Sequence, residues 1–134
     1  MTLPLALDTN LLARLVTNDD AAQASRVAGL IDSNHACFVP ITVVLELEWV
    51  LRGAYKLPRA TVIQAFESLL AIKHLQLEDE HLVLRALDWH RQGMDFADAL
   101  HLLRSEGCGA FMSFDQALAQ IAAALQLTPG VQEP

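Results

Sequence analysis

Apolar positions along the chain fall into two alternating kinds of segment. Short continuous runs, bounded by polar or turn residues, read as buried strands; longer segments with apolar residues three and four apart read as helices. Leu3 to Leu7 is the first short run, stopped by Asp8-Thr9-Asn10, where strand gives way to turn and helix-capping chemistry. Leu11 to Val16 follows as a helix. Asn18-Asp19-Asp20 caps a second, in which Ala21, Ala24, Val27, Ala28 and Ile31 repeat at helical spacing. Cys37-Phe38-Val39 is a second strand closed by Pro40. Thr42 is then expected to cap a strongly apolar helix to about Gly53. Pro58 opens another helix through Val62, Phe66, Leu69 and Leu70. His74 to Leu77 is a short third strand. Glu78-Asp79-Glu80 places negative charge on the first turn of a helix that ends near Gly93. Phe96 to about Ser105 is helical, Ala110 to Met112 a fourth strand, and Asp115 to Leu125 a last helix. A Thr128-Pro129-Gly130 turn leads to a short strand at Val131.

Strands separated by helices imply a parallel sheet covered on both faces. The expected class is therefore α/β: a three-layer α/β/α sandwich with a short, mostly parallel sheet of 4-5 strands. No linker, repeat or low-complexity stretch divides residues 1–134, so a single domain is expected. At 134 residues and 53% hydrophobic, the chain can build a sizeable core. It has no apolar run near the roughly 18 residues needed to span a bilayer, and its start lacks signal-peptide features. No membrane association and a cytoplasmic location are expected. Cys37 and Cys108 match no zinc spacing; both are expected to be buried, reduced and inert.

Nine basic against sixteen acidic residues give a net charge of −7, which argues against a broad basic nucleic-acid surface. The acids themselves become the question. In open parallel sheets, ligands bind beyond the carboxyl ends of strands. Asp8 and Asp115 each stand just after a strand, although each also makes sense as a helix cap. In Val43-Val44-Leu45-Glu46-Leu47-Glu48-Trp49-Val50-Leu51 the two glutamates are about 200° apart at about 100° per residue. Glu46 shares its side with Val43, Trp49 and Val50, and Glu48 faces elsewhere. A carboxylate among apolar neighbours is costly unless it is paired or holds a metal. Glu46 is the candidate, with an arginine salt bridge as the plain alternative. Asp95 and Asp98 form Asp-Phe-Ala-Asp at a helix start; Asp95 reads as N-cap, and Asp98 stands at the border of an apolar face. Several carboxylates around one cleft call for hard divalent cations with oxygen ligands, Mg²⁺ or Mn²⁺. His35, His74, His81, His90 and His101 are scattered and make no zinc cluster; His101, three residues after Asp98, reads as a surface or core histidine. No glycine-rich phosphate loop and no Gly-x-Ser-x-Gly elbow occurs.

The opening strand ending in Asp8-Thr9-Asn10, the Val43 to Arg52 segment, Asp95-Phe96-Ala97-Asp98-Ala99-Leu100-His101 and Phe111-Met112-Ser113-Phe114-Asp115 together resemble the PIN-domain family. Within it they are similar to the VapC-type toxins of bacterial toxin–antitoxin pairs. The resemblance covers essentially the whole chain, with a final strand, Leu127 to Pro134, shorter than is usual. It implies a metal-dependent endoribonuclease whose acidic site is Asp8, Glu46, Asp98 and Asp115, holding Mg²⁺ or Mn²⁺. Asp95 would be an accessory acid, and Thr9 and Ser113 would supply hydroxyls that orient carboxylates or water. RNA as substrate, a cognate protein antitoxin and a homodimer are implied by the same resemblance. The helices around Trp49 and Val62 to Leu70 offer a surface for the homodimer. Arg52, Lys56 and Arg59, near the end of the Glu46 helix, and Arg14, near Asp8, are candidate phosphate contacts. Two competing readings are a PIN nuclease of RNA processing or decay outside a toxin–antitoxin pair, and a non-catalytic PIN-like interaction domain. The latter predicts a broken acidic set.

Overall fold

The computed structural model describes residues 3–33 and 35–134. The chain divides into two compact units, Met1–Glu80 and His81–Pro134.

The first unit is built from strands β1 (Leu5–Ala6), β2 (Cys37–Val39) and β3 (Leu75–Leu77) and helices α1 (Thr9–Thr17), α2 (Ala21–Asp32), α3 (Ile41–Gly53) and α4 (Arg59–Leu70). The strands pair in the order β1-β2-β3, all parallel. Cys37 stands opposite Leu5 and Leu75, and Val39 opposite Leu77. Parallel neighbours need crossovers, and the α1–α2 and α3–α4 pairs supply them. Along β2 and β3, Cys37, Val39, Leu75 and Leu77 are buried, while Gln76 between the last two is exposed. They join Leu12, Val44, Leu47, Leu51, Val62, Phe66 and Leu69, all nearly inaccessible. Removing such side chains from water stabilises each by about 1.5–3 kcal/mol, which is where most of the holding energy of this unit lies.

The second unit carries α5 (Glu80–Arg91), α6 (Phe96–Leu103), β4 (Phe111–Met112), α7 (Gln116–Ala124) and β5 (Val131–Gln132). β4 and β5 form a parallel pair, Phe111 opposite Val131. The α/β class and five short parallel strands are as expected; their hydrogen bonds form a three-stranded and a two-stranded sheet. Val83, Ala86, Met94, Phe96, Ala99 and Leu102 are fully buried. His90 is also buried. Its Nδ1 donates to the Met94 carbonyl at 2.7 Å, since a carbonyl can only accept, and its ring meets Phe96 edge-on. No helix among the described residues is long and apolar enough to cross a membrane.

Three local expectations need correction. Thr42 does not cap α3. The helix begins at Ile41 after N-cap Pro40, which offers no side-chain bond, and the Glu78 Oε1 accepts from the Ile41 N–H at 2.8 Å. A distant acid thus serves a helix end that proline leaves uncapped. Glu78 and Asp79 lie in the turn before α5, which begins at Glu80, so of the three acids Glu80 stands in its first turn. Cys108 is exposed, not buried, because it lies between Gly107 and Gly109 in the loop after α6, outside any apolar face. Cys37 is buried, and burial pushes its thiol above the ordinary value. A thiol-exchange reagent should therefore modify one cysteine quickly in the native protein, and Cys108→Ser should remove that fast phase. A fast phase that persists in Cys108→Ser contradicts the assignment.

Candidate functional site

Asp8 leaves β1 in extended conformation and becomes the N-cap of α1, its Oδ1 accepting from the Thr9 N–H at 2.8 Å. Thr9 is buried, and its hydroxyl donates to the Glu46 Oε1. The first unit thus places Asp8, Thr9 and Glu46 along one chain of contacts between the start of α1 and the middle of α3. Asp8 and Glu46 are both exposed. The burial expected for Glu46 falls instead on Glu48, which is 1% accessible. Glu48 is held by Arg52, one turn on, through Nε–Oε2 at 2.9 Å and a weaker Nη2–Oε1 contact at 3.4 Å. The arginine salt bridge weighed for Glu46 is therefore real, but it belongs to Glu48. Apolar residues surround α3 on nearly every side, so helical angles alone do not say which glutamate faces the core.

In the second unit Asp95 is the N-cap of α6, its Oδ2 accepting from the Asp98 N–H at 3.2 Å. Asp115 is the N-cap of α7, its Oδ1 accepting from the Leu118 N–H at 3.1 Å. The Ser113 Oγ accepts from the Asp115 N–H at 3.0 Å, which closes the turn that sets this carboxylate. Asp98 is half-buried in the first turn of α6. Burial first, then the charges of Asp95 and Asp115, raise its carboxyl above the ordinary carboxylate range, against a lowering by His101. His101 lies parallel to Phe111, ring centroids 6.3 Å apart and planes within 11°. Three acids from two helix starts thus share one electrostatic neighbourhood, with Asp98 bearing the strain.

The capping roles of Asp95 and Asp115 do not compete with a ligand role. A cap uses one oxygen of the carboxylate, and the other still accepts. Among the described residues no three Asp, Glu, His or Cys side chains stand together in ligating geometry. The donor chemistry nevertheless fits a hard divalent ion: the acids gathered around Asp98 are oxygen donors whose repulsion a cation relieves.

Arg14 is not a free cation. Its Nη1 donates to the Asp19 Oδ2 at 2.8 Å and to the Tyr55 hydroxyl at 2.7 Å, and its Nε to the Gln23 Oε1 at 2.9 Å. Tyr55 donates in turn to Asp19 at 2.9 Å. Desolvation is the largest single influence and pushes Asp19 up, but the bonds from Tyr55 and Thr17 and the Arg14 charge together outweigh it, and its carboxyl lies below the ordinary value. Sequence reasoning missed this network, since nothing in the spacing of Asp19 and Tyr55 links them. Arg52 is engaged by Glu48, whereas Lys56, in left-handed conformation at φ 55°, and Arg59 are exposed beside it. Of the surface expected for a homodimer, Val62, Phe66 and Leu69 are core, and Trp49 is 62% exposed.

A family model described as PIN domain matches residues 5–124, running through both units. The chain belongs to the PIN domain family, whose members are generally metal-dependent nucleases. No curated relative matches the chain.

Proposed function

We propose that this chain is a metal-dependent endoribonuclease that hydrolyses RNA phosphodiester bonds, acting as the toxin of a toxin–antitoxin pair. One observation carries the reading: Asp98 is held half-buried against the charges of Asp95 and Asp115, a repulsion that folding alone has no use for. Such strain around perturbed carboxylates is characteristic of functional sites. The family match through both units supports reading residues 1–134 as one nuclease domain.

In this reading Asp8, Glu46, Asp98 and Asp115 hold Mg²⁺ or Mn²⁺, and Asp95 is accessory. When bound, the ion supplies Lewis-acid activation of water and neutralises charge at the phosphate. The remaining chemistry belongs to the chain. Thr9 fixes the Glu46 carboxylate through its hydroxyl. Ser113 fixes the Asp115 turn and keeps its own proton to donate. Asp98 or Glu46, through an oxygen left free of the ion, is the proposed acceptor of the attacking water's proton. Arg52, Lys56, Arg59 and the free side of Arg14 are the proposed phosphate contacts. The acidic centre suits a basic segment of an antitoxin as inhibitor, and exposed Trp49 is the proposed anchor of a homodimer.

The test is cleavage of structured RNAs with Mg²⁺, with Mn²⁺ and in EDTA, comparing wild type with Asp8→Ala. Activity should disappear in EDTA, return with either ion, and be absent in the folded variant. Equal cleavage in EDTA, or by folded Asp8→Ala, overturns the metal-nuclease reading.

A further inference from the structure

A cavity of about 580 Å³ lies between α1 and α2 in the first unit. It begins at Asn10, two residues beyond Asp8, and runs along α1 past Arg14. Across it, α2 presents Gln23 and Arg26. Leu11, Val27 and Leu30 form its apolar wall. The volume is within the span of about 300–1,000 Å³ typical of small-ligand sites.

The charges are the informative part. In a chain of net charge −7 this cavity gathers two guanidinium groups. Arg26 has no hydrogen bond or ion pair among the described residues. Arg14 is fixed through Nε and Nη1 by Gln23, Asp19 and Tyr55, which leaves its Nη2 for another acceptor. A guanidinium so oriented has lost its rotamer freedom before any ligand arrives, and its Nη2 offers one charge-assisted donor to a phosphate oxygen. Asn10, and the Gln23 Nε2 left over after its oxygen accepts from Arg14, offer planar amide groups of the kind that meet base edges. The apolar wall suits the face of a base. An extended peptide is a poorer match: the walls are helices whose backbone groups are already bonded, so they offer no sheet edge for a main chain to join.

We propose that the α1–α2 cavity is a nucleotide subsite for the RNA strand, with Arg26 and Arg14 on a phosphate and the base against Leu11, Val27 and Leu30. Arg26 is a substrate-positioning residue. The identity of the polymer rests on the ribonuclease reading above; the cavity and its cations do not.

The test is binding of a short, 5′-fluorescein-labelled single-stranded RNA by anisotropy, in an Asp98→Asn background that does not cleave. Arg26→Ala is compared with Lys73→Ala, the same charge removed from an exposed position away from the cavity. Arg26→Ala should weaken binding about tenfold and lower the slope of log affinity against log salt by about one. Lys73→Ala should stay within about twofold. In the cleaving protein, Arg26→Ala should raise KM and leave kcat unchanged. Photoreactive thiouridine in the RNA should crosslink to α1 or α2. Equal weakening by both variants, or crosslinks elsewhere, overturns the proposal. So does a result in which Arg26→Ala keeps RNA affinity but loses binding of an acidic amphipathic peptide. If wild type shows no metal-dependent cleavage while the Arg26 effect on RNA binding remains, the nuclease reading fails and the subsite stands.

Discussion

Asp98→Asn should abolish metal-dependent cleavage and at the same time raise the melting temperature of the metal-free protein. The two effects have one cause. Asp98 is half-buried, with Asp95 and Asp115 adding negative charge and His101 opposing them. A group whose folded pKa lies above its unfolded value is a charge that the fold tolerates at a cost. That cost is fully present above the folded pKa and vanishes below the unfolded one. Asparagine keeps the shape and removes the charge, so the apo variant should melt a few degrees higher at neutral pH. The gap between variant and wild type should close as pH falls through Asp98's raised range toward the ordinary carboxylate value. Activity should move the other way. Losing a carboxylate of the proposed metal site should forfeit on the order of 4 kcal/mol of transition-state stabilisation, roughly a thousandfold in rate. Thermal melts in EDTA across pH, beside cleavage assays in Mg²⁺, measure both. A variant as active as wild type, or one that melts lower at every pH, contradicts the assignment of Asp98 as the strained functional acid.

Why Asp98 was legible in the sequence, and Glu48 was not, is a matter of which physical signal each residue carries. Asp98 sits at a helix start on the border between polar and apolar faces, Asp8 follows a short apolar run directly, and Asp115 follows another after Ser113-Phe114. Such positions are local, and local patterning reports them. The same is true of the strands: bursts such as Cys37-Phe38-Val39 end at residues that cannot continue them. Glu46 and Glu48 lie where the pattern is silent, because Val43, Val44, Leu45, Leu47, Trp49, Val50 and Leu51 leave no polar stripe to orient α3. The relative angle of the two glutamates is readable, but the direction of the core is set by packing that involves α1 and α4. Long-range partners were equally hidden. Glu78 reaches back to the start of α3, and Tyr55 and Asp19 converge on Arg14, across separations no spacing rule spans. The exposure of Cys108 is signalled by its two flanking glycines, not by the apolar residues near it in sequence.

Arg52→Ala should destabilise the fold strongly, although the arginine itself is largely exposed. Its removal leaves Glu48 at 1% accessibility with its charge and without its hydrogen-bonding partner. Breaking a buried pair from one side costs about 3–5 kcal/mol, and the exposure of the Arg52 side chain, 45%, favours the lower end of that range. The cost arises from the glutamate left behind, so the matching double variant Glu48→Met, Arg52→Ala should recover most of the loss. Glu46→Gln is the contrast. Glu46 is exposed and among the described residues has the Thr9 hydroxyl as its hydrogen-bond partner, so its substitution should leave the unfolding midpoint nearly unchanged while cleavage falls. Denaturant unfolding of the four proteins, with cleavage measured alongside, separates the two glutamates: one supports the fold and the other serves the proposed site. An Arg52→Ala midpoint equal to wild type, or a Glu46→Gln protein that loses stability as Arg52→Ala does, means that the two residues have been given each other's roles.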